Sequence, residues 1–190
     1  MSAQLAASSR DLTPPSFTPR RVAQLRAVAA LLWAAAIAVF AGGDAGPELA
    51  AGVAALVAAY PLIDVVASLR EAAAGGDRVR MLYVNAAVSA LATAVLAAVA
   101  FGSDVGAVLA VFGAWAVVSG ALQLANALHR RRRGTRELPM IVSGGLSTLA
   151  GLSFIASSRM DDPTVTALAG YAAFGAVLYL VWAHRTRSSA

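Results

Sequence analysis

Asp64 is the only carboxylate inside any of the long apolar runs of this chain, and other polar side chains gather at its level. It precedes Arg70 by six residues, which places it roughly 9 Å inside the nearer end of a helix rising 1.5 Å per residue. Tyr60 and Ser68 stand four residues to either side, so the three form one helical stripe. On the next run Asn85, Ser89 and Thr93 recur at the same spacing, and on the fourth Ser119, Gln123 and Asn126 share a face. Arg26 enters the first run near the same level and is placed to pair with Asp64. Such a cluster can take up and release protons or line a polar path, because an ionisable group in apolar surroundings is a functional candidate by default. The structural alternative is a salt bridge or hydrogen bond near the interface, reached by water. Burial disfavours a carboxylate's charge and a close guanidinium favours it, so their contest decides whether Asp64 titrates in mild acid.

The elements that must position these residues are six apolar runs, at 22–41, 49–69, 81–101, 105–128, 138–157 and 165–183. A hydrocarbon core about 30 Å thick needs roughly 20 residues of helix to cross it. Lipid offers no partner to a backbone amide, so each run must be a helix or part of a closed barrel, and none alternates as barrel strands do. The stretch 86–100 has only Ser89 and Thr93 among alanine, valine and leucine, leaving no polar stripe for a soluble bundle. The expected fold is an all-α integral membrane protein with six transmembrane helices. Residues 1–21 are expected to be a disordered cytoplasmic tail, 22–185 the transmembrane domain and 186–190 a second cytoplasmic tail.

Arginine distribution sets the orientation, since positive residues in short loops stay on the cytoplasmic side. Arg10, Arg20, Arg21 and Arg26 precede or open the first run; Arg70, Arg78 and Arg80 flank the second connection. Arg130, Arg131, Arg132, Arg133 and Arg136 fill the fourth, and Arg185 and Arg187 close the chain. The opposite side has Arg159 alone, with Asp44, Glu48, Asp104, Asp161 and Asp162. Both termini are therefore expected in the cytoplasm, with the protein in the inner (plasma) membrane. The net charge of +5 is accounted for by this topology, so no nucleic-acid partner is called for. The Arg130, Arg131, Arg132 and Arg133 run is a candidate for contact with anionic lipid headgroups.

Residues 1–21 carry Pro14, Pro15 and Pro19 rather than the apolar core of a cleavable signal. Cysteine is absent, which excludes disulfides and thiolate chemistry, and lysine is missing altogether. No metal-ligand set, phosphate-cradling loop or nucleophile triad is present, so neither an enzyme nor a cofactor is expected. Asp104 and Asp162 stand before the fourth and sixth runs as candidate helix caps, with Pro163 as a first-turn proline. His129 and His184 fall at helix ends, where the dipole favours an imidazolium, and read as interfacial anchors or pH sensors. Ser143, Ser147 and Gly151 make a small-residue stripe for close helix packing, internal or between subunits. Trp33 and Trp115 lie within the runs, whereas Trp182 sits at an interface.

The chain repeats itself. Residues 84–91 align with 142–149, and Asp104 then falls on Asp162. Among the even runs, 120–130 aligns with 175–185, and 61–70 is a looser third copy in which Asp64 corresponds to Gln123. The repeated unit is one helical hairpin used three times, at 22–69, 81–128 and 138–183, which implies a pseudo-symmetry axis along the membrane normal. Phe112, Gly113, Trp115, Ser119, Gly120, Gln123 and Asn126, followed by arginines and then Ser143, Gly144 and Gly145, give the middle third a sequence that resembles the HdeD family of acid-resistance membrane proteins. Trp33 and Pro61 depart from the small residues of the other copies. The resemblance implies a small six-spanning protein contributing to acid or general stress resistance without catalysis; it supplies no site residues.

Three function classes stand. One is a stress-linked membrane protein of the HdeD type. Another is a small proton or solute conduit lined by Asp64, Asn85, Gln123 and Asn126. The last is an accessory or scaffold subunit, as a homo-oligomer or within a larger membrane complex, whose partner in every case is the lipid bilayer.

Overall fold

The computed structural model describes residues 18–41, 49–76, 78–102, 104–135 and 137–186. Arg10, Asp44, Glu48, Arg136, Arg187 and nearly all of both expected tails lie outside these residues. Within them the secondary structure is helical: α1 Pro19–Phe40, α2 Ala51–Ala73, α3 Val79–Gly102, α4 Val105–Arg132, α5 Leu138–Ser157 and α6 Ala167–Arg185. All six are long and apolar enough to cross a membrane. The shortest, α6, has 19 residues and so spans about 28 Å.

Local chemistry explains most of the helix ends. Thr18 accepts from the Arg21 amide at 3.3 Å and Pro19 fills the first turn, so α1 begins three residues before the apolar run does. Asp104 caps α4 as expected, accepting from the Ala107 amide at 2.8 Å. Its repeat counterpart does not: α6 starts only at Ala167, and Asp162 is exposed in the turns before it. Val165 is buried in the core, and drawing it inward spends residues 158–166 on irregular chain. Pro163 accordingly sits ahead of the helix rather than in its first turn. The α2–α3 connection turns through Gly75 and Gly76, both at positive φ that a side chain would resist.

The helices form a ring in which each touches its neighbours in sequence and α6 returns to α1. The closest seams are α4 with α5, α2 with α3 and α6 with α1; the pairs within each repeated hairpin pack more loosely. The packing unit is thus offset by one helix from the repeat read in the sequence. One end of the ring carries the start of α1 and the α2–α3 and α4–α5 connections; we refer to it as the arginine-rich end.

Different side chains draw the three seams together. Between α4 and α5 glycines allow backbone approach: a Cβ on Gly151 would lie 2.5 Å from the Gly113 carbonyl oxygen, and one on Gly144 would lie 2.6 Å from the Leu124 amide. Ser143 and Ser147 are buried on the same face, so the predicted small-residue stripe is occupied inside the molecule. Ala27, Ala30 and Ala176 form the α1–α6 contact. The α2–α3 seam is polar and holds the candidate site.

In the half of the bundle away from the arginine-rich end, aromatic rings from five helices fill the axis. Phe112 is fully buried at their centre, with Trp115 at 5.2 Å, Tyr60 at 5.6 Å, Tyr171 at 5.9 Å and Phe154 at 6.0 Å between centroids. Pro61 has no amide to give the Val57 carbonyl, and beside that position the Trp33 indole donates to the Leu56 carbonyl at 2.6 Å. Trp33 is therefore a bonded core residue.

Candidate functional site: a buried ion pair between two hollows

Asp64 is 3% exposed on the inner face of α2, where Ser68 one turn on is buried beside it. Its carboxylate receives donors from three directions. Arg26 of α1 pairs with Oδ1. Asn85 of α3 donates from Nδ2 to Oδ2 at 3.0 Å and to the Ser68 hydroxyl at 2.9 Å. Ser89, one turn along α3, donates its hydroxyl to Oδ2 at 3.3 Å and accepts from the Trp115 indole at 3.1 Å. Donors on every side suit an ionised carboxylate, which can only accept.

The network continues beyond Arg26, whose guanidinium lies over the Tyr179 ring at 4.6 Å. The Tyr179 hydroxyl donates to Gln123 Oε1 at 3.1 Å. Residues of α1, α2, α3, α4 and α6 are thereby tied at one depth. On α5 a separate contact serves the same level: Ser147 donates to the Ala116 carbonyl at 3.2 Å, so its 2.8 Å contact with Tyr171 takes the proton of the phenol.

Of the residues singled out in the sequence, Arg26, Asp64 and Asn85 meet directly, and Gln123 joins through Tyr179. Tyr60 does not belong to the hydrogen-bonded cluster. Its ring packs at a tilt of 45° against Trp33, 4.3 Å between centroids, in the aromatic core. Asn126 also lies apart from Asp64 and accepts from Arg78 Nη1 at 3.4 Å nearer the arginine-rich end. Trp115 and Tyr179 were missed. Trp115 precedes Ser119 and Gln123 at four-residue spacing, a legible signal, whereas Tyr179 enters from α6, whose register no local pattern reveals.

A second charged layer closes the arginine-rich end. Arg130 of α4 pairs with Glu137 at 2.7 Å, reaches Glu71 of α2 at 4.0 Å and lies 5.8 Å above the Trp182 ring. Arg78 contacts Glu71 at 3.9 Å. Burial pushes the Arg78 guanidinium down from its usual range and nearby Arg130 adds to the push, while Glu71 opposes both. Arg130 thus turns inward to acidic partners, a correction to its expected place among headgroup contacts. The attraction of Glu137, itself 4% exposed, accounts for the difference. Arg131, Arg132 and Arg133 remain on the exposed surface, as do His129 and His184 in the last helical turns.

Two hollows meet at the ion pair. A cavity of about 430 Å³ runs from Arg26 and Asp64 toward the aromatic core and the α5–α6 seam. A smaller one of about 80 Å³ lies toward the arginine-rich end, and both are walled by Arg26, Asp64, Ser119, Gln123 and Tyr179. The pair is a polar partition across the bundle. Among the described residues, no three His, Cys, Asp or Glu side chains converge to hold a metal ion.

Six apolar spans in a ring, with polar groups turned inward, define a multi-pass membrane protein embedded in lipid. Residues 85–156, from the second turn of α3 to the end of α5, match the model of a family described as a short repeat of unknown function, DUF308. This is the family domain of HdeD-like membrane proteins. Neither the curated proteins nor the solved structures yielded a match.

Proposed function

We propose that this chain is a non-catalytic, multi-pass inner-membrane protein of the HdeD type, contributing to acid or general stress resistance, in which the Arg26–Asp64 pair is the proton-responsive element. The observation that carries the reading is a carboxylate buried at the partition between two hollows and held by donors alone. Protonation of Asp64 removes the charge that attracts Arg26 and introduces an O–H among donors. The five-helix tie then loses its centre, and the helices are free to shift. In this reading the arginine-rich end faces the cytoplasm, as the bias of short loops supports, and no nucleic acid, metal or cofactor takes part.

The test is survival at low external pH of a deletion strain complemented with wild type or Asp64→Asn at matched membrane abundance. Rescue by wild type alone supports both acid resistance and the titrating role. Rescue by both versions removes the proton role, and a deletion without effect removes acid resistance. Orientation is checked separately: the chain has no cysteine, so one introduced at Met160 or Arg131 is unique. An impermeant maleimide should label the first in intact cells and the second only after permeabilisation; the reverse pattern inverts the topology.

The hollows on either side of Asp64 also favour a second reading, a proton or small-solute conduit. The aromatic core closes the far side in the present arrangement, so conduction requires its rings to part. Flux in reconstituted vesicles that disappears in Asp64→Asn would support this reading, and a tight wild type would sink it.

A further inference from the structure

The larger cavity is not sealed within the ring. Its wall includes Leu146 and Leu149 of α5 and Phe174 of α6, which are 41%, 62% and 51% exposed on the outer surface of the bundle. A residue that lines a cavity and also faces outward marks its mouth. The mouth therefore lies between α5 and α6, the most loosely packed neighbours in the ring, and at this depth it opens onto acyl chains rather than water. An occupant must come from the bilayer. The volume falls within the range of about 300–1,000 Å³ typical of small-molecule sites.

The inner end of the cavity says what kind of molecule fits. Among the described residues, Arg26 and Asp64 are the only charged side chains lining it, and they neutralise each other. A charged head group would find no counter-charge there and would have to shed its hydration to enter. Hydrogen bonding is another matter: among the described residues Gln123 Nε2 reaches only the Met140 sulfur, at 3.9 Å, and a thioether is a weak acceptor. Met140 lines the smaller hollow, so the amide stands at the boundary of the two, its other end anchored by the Tyr179 hydroxyl, and can serve an oxygen that reaches the inner end of the cavity.

We infer that the α5–α6 cavity binds a neutral amphiphile drawn from the membrane, a single hydrocarbon chain carrying an uncharged head group with an accepting oxygen, seated with that oxygen on Gln123. The site goes beyond the proposed function and stands whether or not Asp64 titrates. Its contact with the wall formed by Arg26 and Tyr179 gives a bound molecule a direct bearing on the partition.

The experiment uses the full chain in nanodiscs with a photoreactive long-chain monoacylglycerol, followed by mass-spectrometric mapping. Labelling should concentrate on α5 and α6 residues of the cavity and be competed by unlabelled monoacylglycerol. Gly175 lines the cavity, and a Cβ there meets nothing within 4 Å, so Gly175→Leu fills the space and should abolish the cavity labels. Gly145 also has open space but does not line the cavity, and Gly145→Leu should leave them intact. Labels spread evenly over the outer surface, insensitive to competitor, would identify annular lipid and overturn the site. Equal competition by a long-chain trimethylammonium or sulfate would overturn the neutral head group. Competition on wild type decides the matter even if Gly175→Leu fails to fold, and none of these readouts depends on acid survival.

Discussion

Removing both partners of the Arg26–Asp64 pair should destabilise the bundle far less than the two single removals added together. Stranding one charge of a buried pair costs about 3–5 kcal/mol, whereas replacing the pair by apolar groups is often close to neutral. In Arg26→Met the stranded group is Asp64, 3% exposed and left with Asn85 and Ser89 as donors, and a loss of about 3 kcal/mol is expected. In Asp64→Asn the stranded group is Arg26, whose side chain is 22% exposed and can shift its head toward the arginine-rich end, so about 2 kcal/mol is expected. The double variant Arg26→Met/Asp64→Leu leaves no stranded charge and should lose no more than about 2 kcal/mol, a coupling of about 3 kcal/mol. Neutral bonds between membrane helices average only about 0.6 kcal/mol in such cycles, so the ion pair should stand out clearly. The assay is reversible unfolding in mixed micelles followed by tryptophan fluorescence, to which Trp115 contributes from within the network. Additive single losses, with coupling under about 0.5 kcal/mol, would refute a buried, mutually dependent pair.

Asn85→Ala and Ser89→Ala, measured in the same way, should each cost about 0.5–1.5 kcal/mol, because each removes neutral donors and leaves Arg26 in place; a larger loss than in Asp64→Asn would shift the centre of the network to α3. Gly144→Val should lower the melting temperature steeply, since its Cβ would sit 2.6 Å from the Leu124 amide, whereas Gly145→Val, with open space, should change little. Comparable melting temperatures would disprove the close α4–α5 approach. Glu137→Gln should cost more than Arg131→Gln, by about 1–3 kcal/mol, because Glu137 is the buried partner of Arg130 and Arg131 lies exposed; equal effects would show that the layer at the arginine-rich end carries no stability.

Much of the molecule is legible in its sequence because lipid restricts the choices. A run of about 20 apolar residues has one economical structure in hydrocarbon, so the six helices follow from length and composition alone. Asp64 stands out for the same reason: a carboxylate in such a run must be paired or functional, and Asn85, Ser89 and Gln123 fall at matching depth by helical arithmetic. Small residues at four-residue spacing likewise foretell a close seam, met here by Ser143, Ser147 and Gly151 against α4.

Which faces meet is a property of the assembled bundle. The sequence repeats as hairpins, yet the tight seams join one hairpin to the next, because the polar and glycine faces that demand a close partner point across the repeat boundaries. Helical periodicity fixes which residues share a face but not the azimuth of that face in the ring. For this reason helical spacing says nothing of Tyr179 joining the network, groups Tyr60 with Asp64 although its ring lies among the aromatics, and points Arg130 to lipid although it pairs with Glu137. Asp162 fails as a cap on similar grounds, since burial of the distant-packing Val165 outweighs a local preference for starting the helix early. Length and composition are enough to give six membrane-spanning helices and one acid within a span, whereas the packing of α2 against α1 and α3 sets what that acid touches, because contacts between helices depend on rotations that no single helix encodes.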